Sequence, residues 1–213
     1  FINFHVRQNA AISISVAGVA SDQAPEFGVI KLNRNGRIVS FREKPKSRAE
    51  VDRMQADPEI FRSLGLDPKG QTHLASMGVY LFNWDVLKNL LDGSATADFG
   101  REVIPQAIRT QKVFGYIFDG YWRDIGTIRS FFEANLDLTQ PLPKFNFYDE
   151  QRPIFTHARF LPGSKILSSE VDHSILCEGS IINRSKISDS IIGIRSRVGE
   201  NAVIERTVVM GAD

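Results

Sequence analysis

The 213-residue chain has one cysteine, Cys177, so it cannot form an internal disulfide, as expected of a protein from a reducing compartment. No apolar run is long enough to span a bilayer. Net charge is only +1, so no field of one sign recommends nucleic acid or a membrane surface. The basic residues are scattered and lack the aromatic platform that a single strand of nucleic acid stacks on. The four histidines, His5, His73, His157 and His173, lack metal-ligand spacing with each other or with Cys177. No G-x-S-x-G elbow or Walker loop is present. A start methionine is also missing. Phe1 to Val6 reads as the middle of an amphipathic helix, and Met210 to Asp213 interrupts a repeat, so a piece of a longer protein is expected.

What is present divides into two styles. Up to about Leu138, strands alternate with helices. Phe1 to about Gln8 predicts the tail of a helix with Phe1, Ile2 and Phe4 turned to a core. Ala11 to Ala17 alternates, predicting a strand with Ile12, Ile14 and Val16 on one face. Residues 27–32 and 37–41 predict two strands joined by Asn33-Arg34-Asn35-Gly36, with Asn-Gly supplying positive φ. Gly28 reads as a bulge or a point of close backbone approach. The charged stretch 47–71 predicts a surface segment with a helix over about 49–56. Leu74 to Phe82 is almost all apolar and predicts a strand buried on both faces. Helices follow over Trp84 to Leu91, with Val86, Leu87, Leu90 and Leu91 inward, and beyond an Asp98 cap, with Val103, Ile104, Ala107 and Ile108 inward. A strand is expected at 113–118. Thr127 is a good N-cap for a helix to about Leu138 that buries Ile128, Phe131, Phe132 and Leu136.

After Pro141-Leu142-Pro143 the helical pattern stops. Residues 140–163 read as a surface linker, which gives expected domains of 1–139 and 164–213. In the second, apolar residues recur every six positions at Ile175, Ile181 and Ile187. After one slip they continue at Ile192, Val198, Ile204 and Met210, with glycines beside several. That period is the signature of hexapeptide repeats in a parallel β-helix; a series of short hairpins is the plain alternative.

Three residues could carry chemistry. Lys44, beside Glu43 at a strand end, is a compact charge suited to a phosphate, and the carboxylate could accept hydrogen bonds from sugar hydroxyls. A solvated ion pair explains the same two residues. Ser76 places a hydroxyl in an apolar strand, where either a ligand or a backbone group would be its partner. Asp124, in Trp122-Arg123-Asp124-Ile125-Gly126-Thr127, is either a metal or substrate ligand or a carboxylate flanking a helix start. Arg195 and Arg197 suit an anion or plain solvation.

Together the motifs resemble those of the ADP-glucose pyrophosphorylases (glucose-1-phosphate adenylyltransferases). They stand here as Glu26-Phe27-Gly28-Val29, Phe41-Arg42-Glu43-Lys44-Pro45, Ala75-Ser76-Met77-Gly78-Val79-Tyr80 and Asp98-Phe99-Gly100. They continue as Tyr121-Trp122-Arg123-Asp124-Ile125-Gly126-Thr127, Ser130-Phe131-Phe132-Glu133-Ala134-Asn135 and Gly193-Ile194-Arg195-Ser196-Arg197-Val198. The resemblance implies an α/β, Rossmann-like nucleotidyltransferase domain followed by a left-handed parallel β-helix. It implies transfer of adenylyl from ATP to glucose 1-phosphate with Mg²⁺, in glycogen or starch synthesis, by an allosteric enzyme. It assigns Lys44 to the sugar phosphate, Glu43 to the glucose hydroxyls, Gly28 and Ser76 to the sugar, and Asp124 to catalysis and the metal. Arg159 matches a regulatory arginine, although His157 stands where relatives often have arginine.

The family's Gly-rich nucleotide loop and its other metal aspartate are expected before Phe1. The resemblance therefore implies that the N-terminal nucleotide-binding half and the extreme C-terminus are lacking, and that this piece alone is inactive. Assembly is expected as a homotetramer or heterotetramer, in a bacterial cytoplasm or a plastid, with no nucleic acid or membrane partner. The alternatives are a non-catalytic regulatory subunit and another sugar-1-phosphate nucleotidyltransferase.

Overall fold

The computed structural model describes residues 1–63, 68, 70–92 and 98–212. The parts of the 47–71 stretch at 64–67 and 69, and Asp213 of the interrupted repeat, lie outside them. The chain forms two compact units, Phe1–Trp122 and Arg123–Asp213.

The first unit is built on a five-stranded mixed sheet in the order β3-β2-β4-β1-β5. Its strands are β1 (Ile12–Val19), β2 (Gly28–Leu32), β3 (Ile38–Glu43), β4 (His73–Phe82) and β5 (Val113–Ile117). β1 is antiparallel to β4 and parallel to β5. Its Ile12, Ile14 and Val16 are fully buried, as their alternation predicts. Its other face is buried too, because Ser13 and Ser15 have partners. Ser13 Oγ lies 2.8 Å from His5 Nδ1, and Ser15 Oγ donates to Met77 Sδ at 3.0 Å.

Helix α1 (Ile2–Arg7) sets Phe1 and Phe4 against the Tyr116 ring, each at 5.3 Å. It does not bury Ile2, which is 65% exposed. The inward position belongs to His5, held between Ser13 and Asn83 Oδ1. Apolar character alone selects the wrong residue here, since a histidine with both ring nitrogens satisfied is cheap to bury.

The β2–β3 turn also differs from expectation. Only Gly36 has positive φ, at 76°; its N–H donates to Asn33 O, and Asn33 Oδ1 accepts from the Asn35 and Arg37 amides. This is a longer loop closed by a left-handed glycine, not a two-residue Asn-Gly turn. Gly28 is not a bulge: it pairs regularly with Glu43.

The 47–71 stretch is not confined to the surface. Helix α2 (Arg48–Arg53) opens with a reciprocal Ser47–Glu50 capping box, and α3 (Pro58–Ser63) follows. Their Val51, Met54, Ile60 and Phe61 are buried, the last two in the main core with Ile30, Leu74 and Ile104. Charge-rich helices still bury one stripe each, and these are too short for that stripe to stand out in sequence.

Helix α4 (Trp84–Leu91) buries Leu90 but leaves Leu91 41% exposed. A π turn, Phe99–Val103, is capped by Asp98 Oδ1 accepting from the Arg101 amide at 2.9 Å. It leads into α5 (Ile104–Thr110), and Val103, Ile104 and Ala107 are buried as expected.

In the second unit, α6 (Ile128–Asp137) starts at a Thr127–Ser130 capping box and buries Leu136. Ile128 points out, 90% exposed: at the first helical position it precedes the face that Leu136 defines. Residues 138–164 contain no helix or strand. Nine short strands, β6 to β14, then form three parallel sheets, β6-β9-β12, β7-β10-β13 and β8-β11-β14. Their bounds are Lys165–Leu167, Glu170–Asp172, Ile175–Leu176, Ile181–Asn183, Lys186–Ser188, Ile191–Ile192, Arg197–Val198, Val203–Glu205 and Val208–Val209.

This is the left-handed parallel β-helix. Hairpins are excluded because every pairing in these sheets is parallel. Hydroxyl residues stacked on successive coils, Ser174, Ser190 and Thr207, are 16 and 17 positions apart, so three faces of unequal length make one coil. The inward residues include Val171, Leu176, Ile182, Ile187, Ile192, Val198, Ile204 and Val209. Ile175, Ile181 and Met210 are therefore each one residue out of register. Adjacent strand residues face opposite ways, and doublets such as Ile181-Ile182 hide which one points in.

Candidate functional site

Strand β3 ends at Glu43, and the next residue breaks the strand geometry. Lys44 has φ of 43°, in the left-handed region, while its amide still donates to Phe27 O at 3.0 Å. Pro45, which is buried, follows and cannot extend the ladder. A lysine in this conformation costs about 1–2 kcal/mol relative to ordinary backbone. The consequence is a turn that leaves the Lys44 side chain exposed at the mouth of the β2–β3 pair.

Glu43 is half-buried, and its carboxylate has no hydrogen-bond or ion-pair partner among the described residues. Two glycines make the room for it. A Cβ on Gly28 would lie 2.8 Å from Glu43 Oε2 and 2.6 Å from Phe41 Cζ. A Cβ on Gly100 would lie 2.7 Å from Glu43 Oε2 and 3.1 Å from Glu43 Cδ. Gly28 is thus a point of close approach, but side chains of β3 are what crowd onto it.

Ser76 sits on β4 where the β1–β4 register shifts. Ile14 pairs with Tyr80 and Val16 with Ser76, so the single residue Ser15 faces Met77, Gly78 and Val79. Gly78 turns with φ of 73°, and its amide donates to Ser76 Oγ at 3.3 Å. This bulge answers the expectation of a strand buried on both faces. Leu74 and Ala75 are fully buried, Ser76 is half-buried, and Gly78 and Val79 are exposed. Bulges re-aim side chains in this way beside functional sites.

Two participants had no role in the sequence reading. The Tyr80 hydroxyl lies 3.4 Å from Ser76 Oγ. The Tyr80 ring meets Phe99 at 6.2 Å, and Phe99 is still 38% exposed. Phe99 is the neighbour of Gly100, so Glu43, Gly100, Phe99, Tyr80 and Ser76 form one run of contacts in the first unit. The signal available was the Asp98-Phe99-Gly100 motif, whose glycine follows an exposed aromatic. Phe27, just before Gly28, packs its ring 5.3 Å from Trp122.

Asp124 belongs to the second unit. It is exposed, and its Oδ2 accepts from the Gly126 amide at 3.1 Å; no other partner is present among the described residues. Arg123 beside it pairs with Glu133 and Asp137 of α6. The Glu133 carboxyl is held below the usual carboxylate range, first by the hydrogen bond from Arg129 and then by its charge and that of Arg123. Those carboxylates are thus committed, and Asp124 is not. A divalent ion of the Mg²⁺ type takes one or two carboxylates, phosphate oxygens and water, which an exposed and lightly bonded aspartate fits. Among the described residues no group of three or more His, Cys, Asp or Glu is placed to hold a metal without a substrate. Arg159, half-buried in the 138–164 segment, contacts His157 Nδ1. Burial pushes the Cys177 thiol up, away from nucleophilic character. No described helix is long and apolar enough to cross a membrane.

Comparison with known families gives two matches, the first of which runs past Trp122 into the second unit. The nucleotidyl transferase family matches residues 1–141, and the GLGC left-handed parallel beta-helix domain matches residues 159–213. The first match overturns the expectation that the N-terminal nucleotide-binding half is lacking. It covers all five strands of the sheet, whereas the expectation rested on a glycine-rich loop and a second metal aspartate. The inactivity expected from that lack is withdrawn with it.

Proposed function

Since the chain belongs to the nucleotidyl transferase family, we propose that it transfers the adenylyl group of ATP to glucose 1-phosphate, giving ADP-glucose and pyrophosphate. The observation that supports this most is the half-buried, unpartnered Glu43 carboxylate beside Lys44 in left-handed backbone. A carboxylate that has lost part of its water and gained no protein partner suits a ligand rich in hydroxyl donors. A lysine next to it suits the phosphate on the same ligand.

In this reading the phosphate oxygen of glucose 1-phosphate attacks the α-phosphorus of ATP in line. The new P–O bond forms as the bond to the β-phosphate oxygen breaks, and pyrophosphate leaves. Such transfers ask little covalent work of side chains, so positioning and charge supply most of the acceleration. Lys44 holds the attacking phosphate. Glu43 accepts hydrogen bonds from the sugar hydroxyls, Ser76 donates or accepts one more, and the bare backbone of Gly28 admits the ring. Asp124 would hold Mg²⁺, which would neutralise charge on the transferring phosphoryl group. The β-helix, matched to the GLGC domain, would carry assembly into a homotetramer or heterotetramer.

The test is a matrix of nucleoside triphosphates against sugar 1-phosphates, with Mg²⁺, reading pyrophosphate release, together with calorimetric binding of each sugar phosphate alone. ATP with glucose 1-phosphate should be the preferred pair, and glucose 1-phosphate the tightest of the sugar phosphates. A preference for another base or sugar would replace this reading. No binding of glucose 1-phosphate would remove it.

A further inference from the structure

The geometry points to Gly100 as a positioning residue: its missing side chain holds the Glu43 carboxylate in the orientation that reads the sugar. This rests on the assignment of Glu43 to sugar hydroxyls. It goes further by naming what sets that carboxylate's direction.

A free glutamate side chain samples several rotamers and loses that freedom on binding. Hydrogen bonds would normally fix it, but Glu43 has none among the described residues. Contact does so instead. On one side Gly28, paired with Glu43 across β2 and β3, lies where a Cβ would be 2.8 Å from Oε2. On the other, the π turn brings Gly100 to where a Cβ would be 2.7 Å from the same oxygen. Both distances are below what real Cβ atoms show, so the carboxylate occupies a slot of bare backbone on two sides. The two glycines differ in what else they meet. A Cβ on Gly28 also strikes the Phe41 ring at 2.6 Å, so its substitution disturbs packing. At Gly100 the nearest atoms after those of Glu43 belong to Asp98, at 3.5 Å, an ordinary contact. Of the three atoms nearest to that Cβ, only the two of Glu43 would have to give way. The Gly100 backbone is not left-handed, so alanine there carries no backbone strain.

The π turn itself fixes this approach. Asp98 caps it, and Phe99 stands against Tyr80 and Phe82 at 6.2 and 6.0 Å. Gly100 cannot retreat without lifting Phe99 from those rings, so an added methyl moves the carboxylate rather than the turn.

The experiment is a double-mutant cycle on glucose 1-phosphate binding, read by calorimetry, with Glu43→Ala, Gly100→Ala and both together, and with inorganic phosphate as the control ligand. Glu43→Ala should weaken glucose 1-phosphate about tenfold or more, the loss of a charged hydrogen bond. Gly100→Ala should weaken it about as much, leave inorganic phosphate within about twofold, and add nothing in the Glu43→Ala background. If Glu43→Ala binds as the wild type does, the assignment of Glu43 fails. If Glu43→Ala weakens binding but Gly100→Ala is silent, or its effect adds in full to that of Glu43→Ala, the assignment stands and Gly100 has no positioning role. Should Gly100→Ala not fold alone, thermal melting of the double variant decides. Recovery of the fold when Glu43 is shortened supports the contact, and failure to recover refutes it.

Discussion

Left-handed backbone occurs in both units, and it means different things in each. In the second unit, Phe160 ahead of the first coil has positive φ; within the coils, so do Ser168, His173, Arg184, Asp189, Arg195, Asn201 and Arg206. The residues in the coils follow the architecture. They stand at the corners between strands and recur from coil to coil, so the strain is the cost of turning a three-sided coil and is spread along the whole stack. In the first unit the described non-glycine residues with positive φ are Asn9 and Lys44. Asn9 follows the end of α1, where asparagine commonly adopts this conformation. Lys44 has no such structural excuse and sits beside an unpartnered carboxylate. Strain that repeats with the architecture is structural, whereas strain that occurs once, next to a desolvated charge, points to a site.

The largest expected effect concerns the stack. Ile192, fully buried in the β-helix, should lose about 2–5 kcal/mol of stability as Ile192→Ala, read by denaturant unfolding. A loss below about 1 kcal/mol would mean that the coil interior does not hold this unit together. Next come the two kinds of strained residue. Asp189→Gly should raise stability by up to about 1 kcal/mol and leave ligand binding unchanged. Lys44→Gly should give a similar gain in melting while weakening glucose 1-phosphate. Equal binding in the two variants would dissolve the contrast between corner strain and site strain.

A smaller effect is expected at Ser185. Its hydroxyl is buried without a partner among the described residues, whereas Ser169, Ser174, Ser180 and Ser190 each accept an amide from the next coil. Ser185→Ala should stabilise by about 1 kcal/mol on thermal or chemical unfolding, because it removes an unsatisfied group. The same substitution at Ser174 should destabilise.

The smallest effect is one of pH. The Glu50 carboxyl is held below its ordinary value, first by the Lys46 amide, then by Arg42, and also by the Ser47 amide. Its folded pKa lies below the unfolded one, so its contribution is present above the ordinary carboxylate range and is lost as pH falls through the lowered value. The gap in melting temperature between wild type and Glu50→Gln should therefore be widest above the ordinary carboxylate range and shrink as pH falls below it. A gap constant with pH would place the effect in packing instead.

Much of this was legible in the residues. The strands of the first unit, Thr127 as a cap, and the change of style after Pro141 follow from periodicity and turn chemistry, which are local. The β-helix was legible as a period, yet its register was not. Ile181 and Ile182 are equally apolar, and only pairing with the coils above and below decides which points inward. His5 was hidden for the related reason that its partners, Ser13 on β1 and Asn83 just after β4, come from other elements of the fold. The site divides likewise. Glu43, Lys44 and Ser76 lie in motifs, but the close approach of Gly100 to Glu43 comes from β3 and the π turn meeting, which no local pattern encodes.

The most direct test of the central claim is calorimetric binding of glucose 1-phosphate to wild type and Lys44→Ala, with glucose itself as the comparison. Loss of a charged contact to phosphate predicts about ten- to a hundredfold weaker binding of glucose 1-phosphate, with the affinity for glucose unchanged. Wild-type affinity for glucose 1-phosphate in Lys44→Ala would contradict the account.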